Sequence, residues 1–276
     1  MTLTGGKLIL AKDYPADADV KAYVAAVEAA DEADTPGIGA LELDVVKAYD
    51  NFILGCKHDG IWDAIKASCI LAGARTLSGA LVPLVGVAPT NYNFVSADYN
   101  RKTGLVGDGA TKYLDSNRAA NADPDQNAHI SVYVSVLQSN GTSGLLIGSG
   151  SDAQANNETS IDSGATTNPN RYRYRMRNDQ SLNQPGRNQA IGLVGASRSN
   201  GANYIARSSS INDTVTQAEQ GSNGFSYYLF AFNRNNEKVG SANARLAFYS
   251  IGEALDLALL DARISTLISD LGAAIP

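Results

Sequence analysis

The stretch "AHISVYVSVLQ", residues 128–138, decides the fold of this chain. Side chains of two sets alternate along it: Ile130, Val132, Val134 and Val136 on one side, and His129, Ser131, Tyr133 and Ser135 on the other. Such alternation is typical of a β-strand that has one face in a core. A helix would instead repeat its apolar residues every three or four positions.

Further runs of the same kind surround this stretch. They read "RYRYRMRN", "QAIGLVGAS", "GFSYYLFAFNR" and "ARLAFYSIG", and segments rich in Asn, Gly and Ser separate them. Roughly ten short strands without a helical pattern between them favour an antiparallel sandwich over an alternating α/β fold. We therefore predict a single β domain over residues 93–252.

Residues 1–92 and 253–276 have helical spacing instead. Three helices are predicted in the N-terminal region, over residues 15–34, 41–57 and 59–74. The C-terminal segment carries one apolar seam with steps of three and four residues: Leu257, Leu260, Ile264, Leu267 and Leu271. Two roles are open for this seam, since a helix this short is marginal alone: it assembles several chains, or it packs on its own sandwich.

Composition narrows the class of protein. The chain has 276 residues, 44% of them hydrophobic, and a net charge of −6, which suits a globular protein but not bulk binding of nucleic acid. Lys12 and Asp13 interrupt the only apolar run near the start, so we expect no signal peptide and synthesis in a cytoplasm. No apolar run reaches the roughly 20 residues of a membrane span, so no membrane insertion is expected.

Cys56 and Cys69 are the two cysteines of the chain. They do not form a C-x-x-C pair, and only His58 lies nearby, so a zinc site is not expected. A disulfide is geometrically possible between neighbouring helices. Two buried thiols are the simpler interpretation, and we prefer it.

The segment from residue 171 to 207 is a cationic island with seven arginines. In a strand, Tyr172, Tyr174 and Met176 would point into the core, and the intervening arginines would point outward. That outward row consists of Arg171, Arg173, Arg175 and Arg177. Two partners are open for it: acidic groups of the helical region or a neighbouring subunit, or an anionic glycan of a host surface. Nucleic acid is disfavoured because the interleaved aromatic rings would be buried.

Carboxylates suggest two further kinds of site. The loop "NADPDQN" places Asp123, Asp125 and Asn127 at alternate positions, which suits either a calcium ion or a turn that binds its own backbone. Glu42 and Asp44 have the E-x-D spacing of a glycosidase strand, but their segment is predicted to be helical. The remaining acids of the β domain, Glu158 and Asp162 among them, are interpreted as isolated loop residues. The sequence therefore predicts no enzyme and, calcium apart, no cofactor.

Two segments carry a resemblance to a known group of proteins. Residues 55–135, which begin "GCKHDGIWDAIKASCILAGA" and end "NAHISVYVS", and the closing "ARLAFYSIGEALDLALLDARISTLISDL" resemble bacteriophage and prophage virion proteins. The resemblance covers residues 41–138 and 244–271. It implies a concanavalin-like or laminin-G-like jelly roll in a tail fibre or other virion appendage, in a group often concerned with host-surface glycans.

The sequence-based expectation is thus a mainly β protein, with an antiparallel jelly-roll sandwich between an α-helical N-terminal region and a C-terminal helix. The leading hypothesis is a virion protein of the tail-fibre or receptor-binding type, a homotrimer that contacts other virion proteins and host polysaccharide. A capsid decoration protein without glycan binding is the first alternative. A glycan-degrading enzyme on the same fold is the second.

Overall fold

The computed structural model describes residues 14–139, 143–151, 157–164, 171–178 and 187–276. The helices are α1 (Ala18–Asp34), α2 (Leu43–His58), the one-turn α3 (Leu77–Ala80) and α4 (Leu257–Ala274). The strands are β1 (Ile65–Ile70), β2 (Thr90–Tyr92), β3 (Tyr99–Asn100), β4 (Gly104–Val106), β5 (Tyr113–Ala119), β6 (Ala128–Val136), β7 (Gly144–Gly150), β8 (Glu158–Ser163), β9 (Tyr172–Asn178), β10 (Gly192–Arg198), β11 (Tyr204–Ser208), β12 (Ile211–Val215), β13 (Ser226–Leu229), β14 (Phe232–Arg234), β15 (Glu237–Val239) and β16 (Arg245–Gly252). Lys12 and Asp13 lie outside the described residues.

The strands form two sheets. Sheet 1 has the order β12–β11–β10–β6–β16–β4–β3, and β1 also pairs with β16. Sheet 2 has the order β15–β14–β7–β13–β5–β2, extended from β7 by β8 and then β9. The pairings between the described strands are antiparallel, except for the parallel pairing of β14 with β7. The predicted sandwich with N-terminal helices and a C-terminal helix is confirmed.

The molecule has three layers. One core cluster lies between the two sheets and includes Ile130, Val132 and Val134 of β6. A second cluster joins α1, α2 and α4 to the outer face of sheet 1, where Leu193 and Phe248 meet the helices. Sheet 1 is therefore covered on both faces. No described helix packs on the outer face of sheet 2.

The first two helices occur where the periodicity predicts them. Asp17 begins α1 as its N-cap and accepts hydrogen bonds from the N–H groups of Asp19 and Val20. Buried Asp31 accepts hydrogen bonds from Arg75 and Thr76, which ties α1 to the segment that precedes α3. Within the described residues, no helix is long and apolar enough to cross a membrane.

The third predicted helix, over residues 59–74, is wrong. Residues 62–64 form a single 3-10 turn, and β1 follows at once and pairs antiparallel with β16. Ala67 and Cys69 face the core between the sheets, whereas Ile70 faces the helices. A strand buried on both faces loses the apolar–polar alternation that marks a half-exposed strand, so its pattern is easily mistaken for a helix. Strand β1 lies before the predicted domain boundary at residue 92, although it belongs to sheet 1 of the sandwich. The division of the chain into domains stays a prediction.

The C-terminal helix is confirmed, and its apolar seam is buried within the single chain. Each seam residue is at most 2% exposed within the single chain: Leu257, Leu260, Ile264, Leu267 and Leu271. Helix α4 packs against α2 and β10. Of the two roles that the sequence left open for this seam, the structure favours packing on its own sandwich.

Both cysteines are free and buried, as we preferred. Cys56 lies in the cluster under the helices, and Cys69 lies in the core between the sheets. Burial raises the pKa of each thiol to about 12, so neither has the thiolate character of a reactive cysteine.

Candidate functional site: a charged pocket on sheet 2

Strand β9 has the two faces that the alternation predicts. Tyr172, Tyr174 and Met176 point into the core between the sheets and are at most 1% exposed. Arg173 and Arg175 lie on the opposite, outer face and are partly exposed. The outer face of sheet 2 thus carries two of the four arginines of the predicted row side by side.

The other two members of the row lie elsewhere. Arg171 is exposed and precedes β9, where it bridges to Asn188. Arg177 is fully buried, contrary to the prediction of an outward row. Its backbone has a φ of 56°, in the left-handed region, which turns the side chain out of the alternation. Its guanidinium donates to the carbonyl oxygens of Ala120 at 2.8 Å and Asp123 at 2.9 Å, so it supports a loop.

Within the described residues, the anionic partners of Arg173 and Arg175 come from the neighbouring strand and not from the helical region. Glu158 and Asp162 belong to β8, so the interpretation of both as isolated loop acids is wrong. They are 2% and 3% exposed, and they share the outer face with Ser160, whereas Ile161 points into the core. The register places Asp162 opposite Arg173 and Ser160 opposite Arg175.

Ion pairs join the two strands. Arg173 Nη2 donates to Asp162 Oδ2 at 2.6 Å. Arg175 Nε lies 3.2 Å from Glu158 Oε2, and Arg175 Nη1 lies 3.7 Å from Asp162 Oδ2. Arg175 therefore sits between the two carboxylates, and the cluster is a chain of charges and not a set of separate pairs.

Phe232 forms the neighbouring part of this surface. A Cβ atom at Gly148 would lie 2.6 Å from the Phe232 ring, and one at Gly150 would lie 2.7 Å from it. Both glycines of β7 are therefore needed for the ring to lie flat across the sheet. The guanidinium of Arg234 lies 5.8 Å from the centre of the same ring.

These residues line a pocket of about 210 Å³ on the outer face of sheet 2. We call it the charged pocket, and its lining residues are Leu145, Glu158, Asp162, Arg173, Arg175, Phe232 and Arg234. Three arginines and two carboxylates give it a formal charge of 3 − 2 = +1. Within the described part of the chain, Arg234 is the pocket arginine without a carboxylate at ion-pair distance.

Several buried polar atoms of the charged pocket form no hydrogen bond with a described residue. They are Asp162 Oδ1, Arg173 Nε, Arg234 Nε and Glu158 Oε2, the last of which still lies in the ion pair with Arg175 Nε at 3.2 Å. A buried polar atom without a hydrogen bond is costly, by roughly 1–3 kcal/mol, and such atoms are rare in native proteins. The pocket thus presents acceptors and donors in one place.

Burial also shifts the pKa values of the two carboxyl groups in the pocket. It raises the pKa of Glu158 and of Asp162 above the ordinary carboxyl range, although Arg175 opposes the shift in both and Arg173 adds to that opposition. Titratable groups with shifted pKa values in a pocket are typical of functional sites. Each carboxylate is ion-paired with an arginine. Protonation of the carboxylate would therefore weaken the pair and leave the N–H groups of that arginine available to a ligand.

The remaining arginines of the cationic island are engaged in the structure. Arg187 forms a bidentate pair with Asp213 at 2.5 and 2.6 Å. Arg198 is buried and donates to backbone carbonyls, including that of Met176 at 2.9 Å. Arg207 pairs with Asp261 of α4 at 2.9 Å. Most arginines of the cationic island thus form ion pairs or hydrogen bonds within the chain. The arginines of the charged pocket and Arg171 are the ones that a ligand could reach at the surface.

The calcium loop is not assembled as a metal site. Asp123 pairs with Arg118, Asp125 accepts from Ser222 Oγ at 2.6 Å, and Asn127 accepts from the N–H of Ala254 at 2.9 Å. These partners lie in three different parts of the chain. Among the described residues, no group of three or more acidic, His or Cys side chains is placed to hold a metal ion. Calcium binding stays a prediction without a site.

The E-x-D pair of the helical region is structural. Glu42 precedes α2 and forms a bidentate pair with Arg101 at 3.1 and 2.7 Å. Asp44 pairs with Lys47, 2.6 Å away on the same helix. The two carboxylates therefore serve separate contacts, as the helical interpretation anticipated.

No protein-family model and no curated protein matches the sequence. Solved structures match at the level of shape. A mutant of the NanB sialidase from Streptococcus pneumoniae has a TM-score of 0.38 and 16% identity, over 53% of this chain and 24% of that chain. Botulinum neurotoxin type C, described as dependent on two ganglioside molecules for cell entry, has a TM-score of 0.45 and 15% identity, over 76% of this chain and 51% of that chain.

A smaller neighbour is the CBM40 of the Ruminococcus gnavus IT-sialidase. It has a TM-score of 0.38 and 11% identity, over 51% of this chain and 84% of that chain. The same CBM40 has also been solved bound to α2,3-sialyllactose. With TM-scores below 0.5, none of these likenesses assigns a ligand to this chain.

Proposed function

We propose that this protein is a non-catalytic, lectin-like protein that binds acidic glycans in the charged pocket. The observation that carries the proposal is Arg234, which forms no ion pair among the described residues and lines the same pocket as two carboxylates whose oxygens are not all hydrogen-bonded. The pocket charge of 3 − 2 = +1 suits one carboxylate or phosphate of a ligand.

A sugar satisfies the other polar atoms of the pocket. Its hydroxyl groups can donate to Asp162 Oδ1 and accept from the Nε–H of Arg173 and Arg234, which form no hydrogen bond with a described residue. The Phe232 ring lines the pocket but is only 1% exposed, so it supports these groups and is not itself a surface for the sugar. A small inorganic anion would satisfy the charge but leave the buried acceptors without donors, so a sugar that carries an acidic group fits better.

Binding to a panel of bacterial capsular and lipopolysaccharide glycans tests the proposal, with Arg234→Gln as the pocket variant. We expect the wild type to retain acidic members of the panel and Arg234→Gln to weaken that binding roughly tenfold or more. Arg171→Gln is the matched control, because it removes the same charge from an exposed position outside the pocket. Equal loss in both variants, or retention of neutral glycans alone, would contradict a pocket for an acidic sugar.

We further propose that the protein works in a virion, as a tail-fibre or receptor-binding component made in the host cytoplasm. The resemblance of residues 41–138 and 244–271 to phage and prophage virion proteins supports this setting. A homotrimer and contacts to other virion proteins belong to the same proposal, but any threefold contact must use a surface other than the buried α4 seam. Immunogold labelling of particles tests the location, and label over the head would favour capsid decoration.

Catalysis is the competing function, and one observation favours it. Glu158 and Asp162 are two carboxylates of raised pKa on one strand face in a pocket. Each carboxyl group lies at ion-pair distance from an arginine, and that positive charge favours the ionised carboxylate over the protonated acid. An ionised carboxylate suits binding better than proton donation. Incubation with the retained glycan decides between the two, because release of reducing sugar would establish an enzyme.

A further inference from the structure

A second feature of the outer face of sheet 2 lies outside the charged pocket. Three tyrosines from β2, β5 and β13 form a ladder: Tyr92, Tyr113 and Tyr228. The rings of Tyr92 and Tyr113 are stacked at 4.3 Å with an interplanar angle of 4°, and those of Tyr113 and Tyr228 are 4.8 Å apart. Tyr92 is 39% exposed at the sheet edge, whereas Tyr228 is only 6% exposed.

The strand register connects this ladder to the charged pocket. Asp115 lies opposite Tyr228, Tyr228 opposite Gly148, Gly148 opposite Ser160, and Ser160 opposite Arg175. Residues directly opposite one another share a face, so this row runs across the outer face from the ladder to the pocket. It crosses four strand spacings of about 4.8 Å each, or roughly 19 Å from Asp115 to Arg175.

Polar groups flank the ladder in a fixed arrangement. The hydrogen bonds of the described residues engage the Asp115 carboxylate at Oδ1, which accepts from the N–H of Asn117 at 2.8 Å, and leave Oδ2 available. The side chain of Asn117 donates to the carbonyl of Ala88 at 2.8 Å and to Thr90 Oγ1 at 3.0 Å. An aromatic face beside a carboxylate, an amide and a hydroxyl combines apolar contact with hydroxyl recognition.

We infer that the ladder and Asp115 form a second subsite, which takes an uncharged pyranose of the same oligosaccharide whose acidic residue occupies the charged pocket. The inference rests on the proposed function for the identity of the ligand. The outer ring face of Tyr92 contacts the C–H face of the sugar, and Asp115 accepts its hydroxyl groups. A second acidic sugar is disfavoured here because Asp115 would repel it. One sugar residue does not reach across 19 Å, estimated from about 4.8 Å per strand, so the two subsites bind different residues of one chain.

Size-graded fragments of the acidic glycan that the wild type retains test the inference by calorimetry. We expect the affinity of the wild type to rise about tenfold once fragments reach both subsites. Tyr92→Ala should lose that increase and bind short acidic fragments as the wild type does, and Tyr92→Phe should keep the increase because it keeps the ring. Ile211→Ala is the matched control, since it trims a side chain that is 44% exposed on the edge strand of sheet 1.

The outcomes separate this inference from the proposed function. Equal binding of every fragment by wild type and Tyr92→Ala would overturn the second subsite and leave the charged pocket intact. Retention of a neutral glycan that Tyr92→Ala loses and Arg234→Gln keeps would overturn the pocket proposal and leave the ladder as the site. A wild type that retains no glycan of either kind would overturn both.

Discussion

The two sheets of the sandwich carry buried arginine–carboxylate groups on their outer faces, and the groups differ in completeness. On sheet 1, Arg207 pairs with Asp261 of α4, and Asn212 and Ser265 complete the contacts. On sheet 2, the charged pocket leaves one oxygen of Glu158 and one of Asp162 without a hydrogen bond from the described residues. A complete network under a helix stabilises the fold, whereas an incomplete one at a surface is available to a ligand.

The largest effect should come from breaking the complete network. Asp261→Ala leaves Arg207 buried without its carboxylate, and we expect the free energy of unfolding to fall by about 3–5 kcal/mol, the usual cost of removing one partner of a buried pair. Denaturant unfolding measures this loss. Asp44→Ala is the control, because it removes a pair whose side chains are 50% and 68% exposed and should cost less than about 1 kcal/mol. A similar loss in both variants would mean that water reaches the Arg207–Asp261 pair.

The covered sheet should also determine how the fold responds to acid. His129 is buried on the outer face of sheet 1, between the Ser250 hydroxyl at 2.7 Å and the carbonyl of Glu253. Burial lowers its pKa from 6.5 to about 4. Between these values the unfolded chain binds a proton that the folded chain does not, so stability falls as the pH falls through this window. The loss is at most about 3 kcal/mol, at 1.36 kcal/mol for each pH unit.

Unfolding of His129→Gln between pH 7 and pH 4 checks this expectation, because glutamine does not titrate. The part of the pH dependence that wild type shows and this variant lacks belongs to His129. His58→Gln is the matched control, since its side chain is 85% exposed. Parallel pH profiles for wild type and His129→Gln would show that the buried imidazole does not contribute.

The same contrast explains what the sequence predicted and what it did not. The alternation in β6 and β9 identified the sandwich and the inward tyrosines, because one face of each strand packs on apolar residues. Strand β1 was mistaken for a helix because helices cover its second face and remove the alternation. The run "ETSIDS" of β8 does alternate Glu158, Ser160 and Asp162 with Ile161, but it is too short and polar to stand out from the loops around it.

Two of the seven residues that line the charged pocket were therefore predictable. Arg173 and Arg175 followed from the period of two, whereas Arg177 did not, since its left-handed backbone is not encoded in a side-chain pattern. Phe232 and Arg234 joined the site through the parallel contact of β14 with β7, which brings together residues far apart in the chain. The tyrosine ladder depends in the same way on the register of three strands, and a single sequence does not contain that register.

The smallest expected effect concerns the charged pocket itself. Glu158→Gln removes the carboxylate that lies 3.2 Å from Arg175 Nε and raises the formal charge of the pocket from 3 − 2 = +1 to 3 − 1 = +2. We expect acidic fragments to bind a few-fold more tightly at pH 7 as a result. Glu32→Gln is the control, because it makes the same charge change at an exposed position on α1.

The pH dependence of the same measurement distinguishes charge from contact. Because burial raises the pKa of Glu158, the wild type takes up a proton here at a higher pH than an ordinary carboxyl group does, and its affinity for acidic fragments should rise as the pH falls toward the carboxyl range. Glu158→Gln already lacks this charge, so its affinity should change less over the same range. Weaker binding by Glu158→Gln at pH 7 would instead mean that the carboxylate accepts hydroxyl groups of the sugar, and that this contact outweighs the gain in charge.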